Sequence, residues 1–404
     1  MKILHYIRRY LPISQTFVQT VLENGARLGN QNAIMTHVVM KSNKATNEML
    51  YDVSTHYSNS LMRKAVNLIH FLRGRCHNTD FKAADNILQE FQPEIIHCHF
   101  GTAAYFLYYI QQVCKNETPV VLSMHGFDVF VESEAFYPYE KIIKKHAQNN
   151  RLIVTVPSKF LKKHAVSRFG FDEESVRVVH NGFDSTLFYE SYLPFCAGQT
   201  FKIIHVGRFI DLKGQKYLIE AISELKKRGI TCVEAVFIGE GETLSHCKWL
   251  AKSLNVEESC HFKGAVNHVD IFKFVSQSHL YVHTSITASN GHAETFGVAV
   301  LEAVASGKPV VYFGSGGTPE IFEDSSGIFY KQVQEKSLDD LVEALGYFVE
   351  YYPSLDFAAL QNARDMIVER FNDIRCAKQL QSIYSELLGR APNIEGRSQQ
   401  PTQQ

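Results

Sequence analysis

One rhythm constrains this chain more than any other feature. Short apolar runs alternate with amphipathic stretches, and the pattern runs through twice. In the front half, apolar runs at 3–7, 33–39, 95–98, 120–123, 153–156 and 176–179 read as strands, with amphipathic stretches at 17–28, 61–72, 103–113 and 159–169 between them. Buried strands alternating with helices imply parallel βαβ units joined by right-handed crossovers. After Phe188 the pattern lapses, and residues 189–200 are irregular, with Pro194 and Gly198. The rhythm then restarts: strands at 201–206, 233–238, 259–262, 280–283 and 309–312, helices at 213–228, 243–254 and 269–276. The expected fold class is α/β, with two tandem Rossmann-like domains facing a central cleft. The domains are read as 1–188 and 201–371, with a linker at 189–200. The helix at 372–390 is expected to cross back to the first domain, and the polar tail at 391–404 to be disordered. In such folds a ligand sits outside the carboxyl ends of the strands, where the lobes meet.

Composition narrows the field. Of 404 residues, 45% are hydrophobic and 21% charged, as in ordinary globular proteins. The formal net charge of −1 gives no basic field for nucleic acid. That charge is divided, +5 through Asp184 and −6 beyond it, which fits two domains with different partners. None of the eight cysteines forms a C-x-x-C pair, so they read as reduced thiols in a cytoplasmic protein. The N-terminal apolar run is too short for a signal peptide, and no run approaches the ~18 residues of a membrane-spanning helix.

Residues 288–309 carry the densest chemistry: A-S-N-G-H-A-E-T-F-G-V-A-V-L-E-A-V-A-S-G-K-P. Glu294 stands just before a helix expected from about Gly297 to Ser306, Glu302 lies inside it, and Gly307 stops it. A helix start presents unpaired N–H groups and positive dipole, which suits an anionic or hydroxyl-rich ligand. Either carboxylate alone reads as structural; the two together with Gly297 read as a site.

Other candidates fall at strand ends. Val206-Gly207-Arg208 precedes Lys213-Gly214; a guanidinium and an ammonium at that spacing suit a diphosphate, although alone the pair reads as two solvated cations. Gly239-Glu240-Gly241 lacks the third glycine of a dinucleotide fingerprint. Gly264-Ala265-Val266 offers backbone to a flat base. In the first domain, His125-Gly126-Phe127-Asp128 follows a strand. His97 and His99 have metal-ligand spacing, but no third ligand is evident, so no metal is expected.

In order along the chain, these pieces resemble the retaining glycosyltransferases of family 4, with the two-lobed GT-B fold. The matching residues are Ser14-Gln15-Thr16-Phe17, His125-Gly126-Phe127-Asp128, Val156-Pro157-Ser158, His180-Asn181-Gly182-Phe183-Asp184, Gly207-Arg208 with Lys213-Gly214, Gly239-Glu240-Gly241, Glu294 with Glu302, and Gly316-Gly317-Thr318-Pro319-Glu320. The loop after the first strand has no glycine, and its Ser-Gln-Thr-Phe form resembles the exopolysaccharide and colanic-acid branch. There Glu is common at the Gln15 position.

The resemblance implies a UDP- or GDP-sugar donor and no cofactor or metal. It assigns Arg208 and Lys213 to the diphosphate, Glu294 with backbone of Thr295, Phe296, Gly297 and Val298 to the donor sugar, Glu302 to the ribose diol, and His125 to the sugar from the first lobe. Gly207, Gly239, Gly264 and Val266 complete the donor-binding set. The implied acceptor is a glycan or lipid-linked oligosaccharide of bacterial surface polysaccharide. Basic residues at Arg63-Lys64, Arg73, Arg75, Lys144-Lys145, Lys159 and Lys162-Lys163, with Tyr105, Phe106, Tyr108 and Tyr109, suggest peripheral contact with anionic lipid at the cytoplasmic face of the inner membrane. The alternatives on the same scaffold are a sugar-nucleotide epimerase and a non-catalytic nucleotide-sugar-binding protein. A glycan phosphorylase lacks its pyridoxal lysine site here.

Overall fold

The structure is a computed structural model. It describes residues 1–10, 16–39, 49–53, 78–131, 139–146, 151–184, 186–196, 198–325 and 327–390. The expected helix at 61–72, Ser14-Gln15, the cations Arg63, Lys64, Arg73 and Arg75, and the tail at 391–404 lie outside the described residues, as do the side chains of Tyr105 and Tyr109.

The first lobe runs β1 (Lys2–Tyr6), β2 (Arg9–Tyr10), α1 (Thr16–Arg27), β3 (Gln31–Thr36), β4 (Val38–Val39), β5 (Met49–Asp52), α2 (Asn78–Phe91), β6 (Ile95–His99), α3 (Ala104–Val113), β7 (Val120–Ser123), α4 (Phe127–Phe130), α5 (Tyr139–His146), β8 (Leu152–Val156), α6 (Lys159–Phe169) and β9 (Val176–Val178). Seven strands form one sheet in the order β5-β3-β1-β6-β7-β8-β9, every neighbouring pair parallel. The run at 33–39, expected as one strand, is broken at His37; β4 pairs instead with β2 in a separate two-stranded sheet.

The second lobe runs β10 (Phe201–Val206), α7 (Gln215–Lys227), β11 (Val233–Ile238), α8 (Leu244–Ser253), β12 (Cys260–Phe262), α9 (His268–Ser276), β13 (Leu280–His283), α10 (Val298–Ala305), β14 (Val310–Phe313), β15 (Tyr330–Val333) and α11 (Leu338–Tyr351). Its six strands lie in the order β12-β11-β10-β13-β14-β15, again all parallel. In both lobes the order reverses beside the first strand. A crevice opens at such a reversal, on the carboxyl side of the strands.

Two helices close the molecule: α12 (Phe357–Phe371) and α13 (Asp373–Leu387). Phe371 packs in the second lobe's core, whereas Leu380, Ile383 and Tyr384 of α13 pack on Ile3, Ile95, Val121 and Ile153 of the first sheet. The chain therefore does cross back. Burial of each such side chain contributes roughly 1.5–3 kcal/mol, enough to keep α13 docked. The crossing point is sharp: Phe183 bridges to Asn372, and a Cβ on Gly182 would lie 2.5 Å from Asp373 Cα. Asn372 caps α13 by accepting from Arg375 N at 2.8 Å, and Asp373 accepts from Asn24 Nδ2 at 2.9 Å.

Candidate active site between the lobes

The loop from β13 to α10 is held from behind. Gly317 N donates to Glu294 O at 2.8 Å. Gly316, at φ +61°, approaches so closely that a Cβ would sit 2.0 Å from Glu294 O. The Gly316-Gly317-Thr318-Pro319-Glu320 motif is thus the backing of the Glu294 loop. Gly297 precedes α10 at φ +105°, a conformation glycine adopts without strain.

The Glu294 side chain faces Lys213, and the two form an ion pair. His283 Nε2 lies 3.4 Å from Glu294 Oε2, and Ser285 Oγ donates to the same oxygen at 3.3 Å. Burial alone would raise the Glu294 carboxyl, but the Lys213 ammonium and His283 outweigh it and hold the group well below the usual carboxylate range. Glu294 is therefore ionised and partnered before any ligand arrives. His283 and Ser285 carried no signal in the sequence, because their role depends on β13 running beside the loop it feeds.

Lys213 ends a single helical turn over 211–213 and lies across Gly207, its Cδ 3.6 Å from where a Cβ would stand. Gly214, at φ +61°, packs on Thr284, and this seats Lys213 next to Glu294. The Arg208 side chain is exposed, while its carbonyl accepts from Gln215 Nε2 at 2.9 Å. Its charge is felt nearby: His292 is lowered by burial, with Glu294 opposing and Arg208 and Lys213 reinforcing the shift. Gly239 N donates to Gly264 O at 2.8 Å, and a Cβ on Gly239 would lie 2.0 Å from Gly207 O, so the glycine strand ends are packed edge to edge. Val266 packs at the edge of the core around α10.

Glu302 is buried on α10, and one oxygen is already taken: His268 Nε2 lies 2.6 Å from Glu302 Oε1. His268, the first residue of α9, was not a sequence candidate; its helix position alone gave no sign that it meets Glu302. The hydrogen bond to Glu302 raises the His268 imidazole above its ordinary value, against burial. The imidazolium thus stabilises the fold fully below about pH 6.5, and that share fades as pH rises through the folded value. The Tm gap between wild type and His268→Gln is expected to narrow from about pH 6 to about pH 9. A gap that stays constant across that range would show that the charged form contributes nothing.

The first lobe closes over this loop. Asp128 accepts from Gly101 N at 2.7 Å, Gly126 N at 2.8 Å and His125 N at 3.0 Å, which fixes the His-Gly-Phe-Asp turn. His125 lies beside Phe100, with ring centroids 4.8 Å apart, and burial lowers its pKa to about 3. Next to it, a Cβ on Gly126 would fall 2.3 Å from Thr295 Cγ2, so the two lobes touch here. Phe296 is committed to packing: it stacks on His180 at 4.9 Å and meets Phe371 at 5.3 Å. Only its backbone remains for a ligand, as it does at Gly297; Val298 is half-buried at the helix start.

A second cross-lobe joint accounts for Ser158 and Glu320. Ser158 Oγ accepts from Leu161 N at 3.1 Å and so caps α6. Glu320, from the other lobe, accepts from Lys159 N and Phe160 N, each at 2.8 Å. Burial raises the Glu320 carboxyl, and these two N–H groups oppose the rise. Glu320→Ala is expected to cost about 1–2 kcal/mol, as for loss of a helix cap. Denaturant unfolding checks this, and an unchanged midpoint would sink the joint.

The expected membrane face is altered by the structure. Phe106 is buried against Tyr6 and His37 instead of facing out. Lys144 pairs with Glu140 and Lys159 with Glu323. Among the described residues no helix is long and apolar enough to cross a membrane.

Residues 197–347 match the model of glycosyl transferases group 1, and residues 43–187 that of glycosyltransferase family 4. An uncharacterized glycosyltransferase of Methanocaldococcus jannaschii is 26% identical over 318 residues, 74% of this chain and 77% of its own. An amylovoran biosynthesis glycosyltransferase of Erwinia amylovora is 27% identical over 58% of this chain and 56% of its own. A putative colanic acid biosynthesis glycosyltransferase of Escherichia coli is 24% identical over 74% and 71%. Among solved structures, a glycosyltransferase from Rickettsia africae superposes with TM-score 0.73 at 19% identity, covering 96% of this chain and 99% of that one. An Anabaena protein in complex with UDP and glucose gives TM-score 0.72 at 18% identity, covering 96% and 100%.

Proposed function

We propose that this chain, which belongs to the family 4 glycosyltransferases of GT-B fold, transfers a sugar from a UDP- or GDP-sugar to a glycan or lipid-linked acceptor of bacterial surface polysaccharide. The transfer retains the anomeric configuration and uses no divalent metal. One observation carries the reading. Lys213, Glu294 and the start of α10 converge on a single loop, directly against the His125–Gly126 turn of the other lobe. The colanic acid and amylovoran relatives support the surface-polysaccharide setting, and the Anabaena complex with UDP and glucose supports a nucleotide-sugar donor.

The ion pair gives the order of events. A donor diphosphate competes with Glu294 for the Lys213 ammonium, and Arg208 adds a second cation from the rim. Released from Lys213, the Glu294 carboxylate accepts from donor sugar hydroxyls. Glu302, steadied by His268, turns its other oxygen to the ribose diol. As the glycosidic bond breaks, negative charge grows on the diphosphate and the sugar becomes oxocarbenium-like. Fixed cations and the N–H groups at the α10 start stabilise that charge without reorganising. The acceptor hydroxyl attacks from the leaving-group side and gives its proton to the departing phosphate.

Turnover of radiolabelled UDP- and GDP-sugars on a lipid-linked acceptor tests the transfer, and NMR of the product tests the configuration. Full activity in excess chelator is expected; an inverted product, or donor turnover without transfer, overturns the reading. Peripheral lipid contact is part of the proposal, carried by the half-buried Lys162 and the exposed Lys163 on α6. Flotation with anionic liposomes that is insensitive to Lys162→Ala/Lys163→Ala would remove it.

A further inference from the structure

The face of the first sheet covered by α13 is apolar at its start and polar at its carboxyl end. There β1 and β6 pair His5 with His97, and His99 follows two residues on. All three are buried, with His97 wholly inaccessible. One ring nitrogen from each lies within 4.8 Å of those of the other two. The sequence offered His97 and His99 without a third partner; the parallel register of β1 and β6 supplies it.

The hydrogen bonds define the proton positions. Asn32 Nδ2 donates to Leu22 O at 2.9 Å, so its Oδ1 faces His5 Nε2 at 3.4 Å, and that nitrogen carries the hydrogen. His5 Nδ1 is then a lone pair, 3.1 Å from His99 Nε2. With no ion present, His99 Nε2 must donate to it. His99 Nδ1 is left as a buried lone pair with no hydrogen-bond partner. Such an orphan is costly, and a native core that keeps one calls for an explanation.

We propose that His5, His97 and His99 form a site for a late first-row divalent metal ion, zinc first. Neutral imidazoles alone suit zinc, copper, nickel and cobalt, and exclude magnesium and calcium, which need oxygen. Burial keeps all three rings neutral, the ligand form. Nitrogens each about 2.0–2.1 Å from a tetrahedral zinc stand roughly 3.3 Å apart, close to the His5–His99 separation. His97 must close in by at most roughly 1.5 Å. Outer partners are in place: Asn32 holds His5, and His97 meets Tyr384 OH at 2.6 Å through Nδ1 and Ser123 Oγ at 2.7 Å through Nε2. Binding requires that the His99 hydrogen move from Nε2 to Nδ1 and that His97 give up one of its two hydrogen bonds, the freed nitrogen becoming the ligand, with no net proton released. His97 and His99 line a cavity with Asn24, Ser123, Thr155 and Asp373, which has room for one water to complete the shell and another to accept from His99 Nδ1. The ion would tie β1 to β6 and, through Tyr384, to α13. This site lies in the first lobe, apart from the Lys213–Glu294 pair, with the His99 ring stacked 6.1 Å from that of His125.

The test uses the untagged full chain, stripped with chelator and titrated with Co²⁺, then Zn²⁺. A single Co²⁺ per chain with the visible absorption of a tetrahedral site, displaced by Zn²⁺ and accompanied by a higher Tm, is expected. His5→Asn and His99→Asn should abolish it; Asn32→Ala should weaken it roughly 10- to 100-fold. His246→Gln, at an exposed position, should leave it unchanged. Absence of Co²⁺ absorption in the wild type overturns the proposal whatever the variants do. So does binding that survives both ligand substitutions.

Discussion

Lys213→Ala is expected to lower kcat with the donor sugar by roughly 10²–10³-fold, the scale of losing one preorganised group at a site of developing charge. The loss should fall on kcat more than on KM, since the charge on the diphosphate grows toward the transition state. The same substitution strands Glu294 in a site only 12% exposed. Removing one partner of a buried pair costs about 3–5 kcal/mol. Glu294→Gln added to Lys213→Ala should recover most of that stability and none of the activity. Glu294→Gln alone should lose activity because an amide cannot accept from sugar hydroxyls with the same strength. Steady-state kinetics beside denaturant unfolding separates the two effects. If Lys213→Ala keeps wild-type kcat, the pair is structural and the cleft chemistry lies elsewhere.

Gly126→Ala should be nearly as damaging, for a different reason. A methyl there would collide with Thr295 Cγ2 at 2.3 Å, and φ is +123°, where residues other than glycine are strained. The collision is relieved by turning the Thr295 side chain or by parting the lobes, and either change shifts the Glu294 loop against His125. Activity is expected to fall by about 100-fold or more, since misplacement of roughly 1 Å costs that much. Thr295→Ser removes the Cγ2 methyl while keeping the hydroxyl. In the Gly126→Ala background it should restore part of the loss, leaving a backbone penalty of about 1–3 kcal/mol. Equal kinetics in single and double variants would rule out the steric account.

The architecture was legible because apolar runs in parallel sheets are continuous and their helices amphipathic. The helix at Lys159–Phe169 and the strand at Leu280–His283 could be bounded to the residue from pattern alone. The break at His37 could not, because it depends on β4 leaving the main sheet to pair with β2. Nor could β5 and β15, four-residue edge strands without a strong period. At the site, type and spacing marked Glu294 with Glu302 but left Arg208 and Lys213 as two solvated cations, and only the family resemblance joined them. What spacing cannot carry is who meets whom. Lys213 meets Glu294 through the fold of Gly214 on Thr284; His268 meets Glu302 across two helices; His5 meets His97 through strand register. Lys308 is the plainest omission. Nothing in the sequence names a partner for it, yet it is wholly buried and donates to the carbonyls of Ser191 and Ser276, with burial lowering its pKa to about 8.

The return of α13 also bears on how the chain is made. Ile3, Ile95, Val121 and Ile153 are all synthesised early, but Leu380, Ile383 and Tyr384 emerge last. A nascent first lobe therefore leaves the ribosome with one apolar face bare, and must wait through the synthesis of an entire second lobe before its lid arrives. Such a face is what chaperones bind and what drives aggregation. Stalling or early termination near residue 371 should therefore yield a sticky half-product rather than an independently folded lobe.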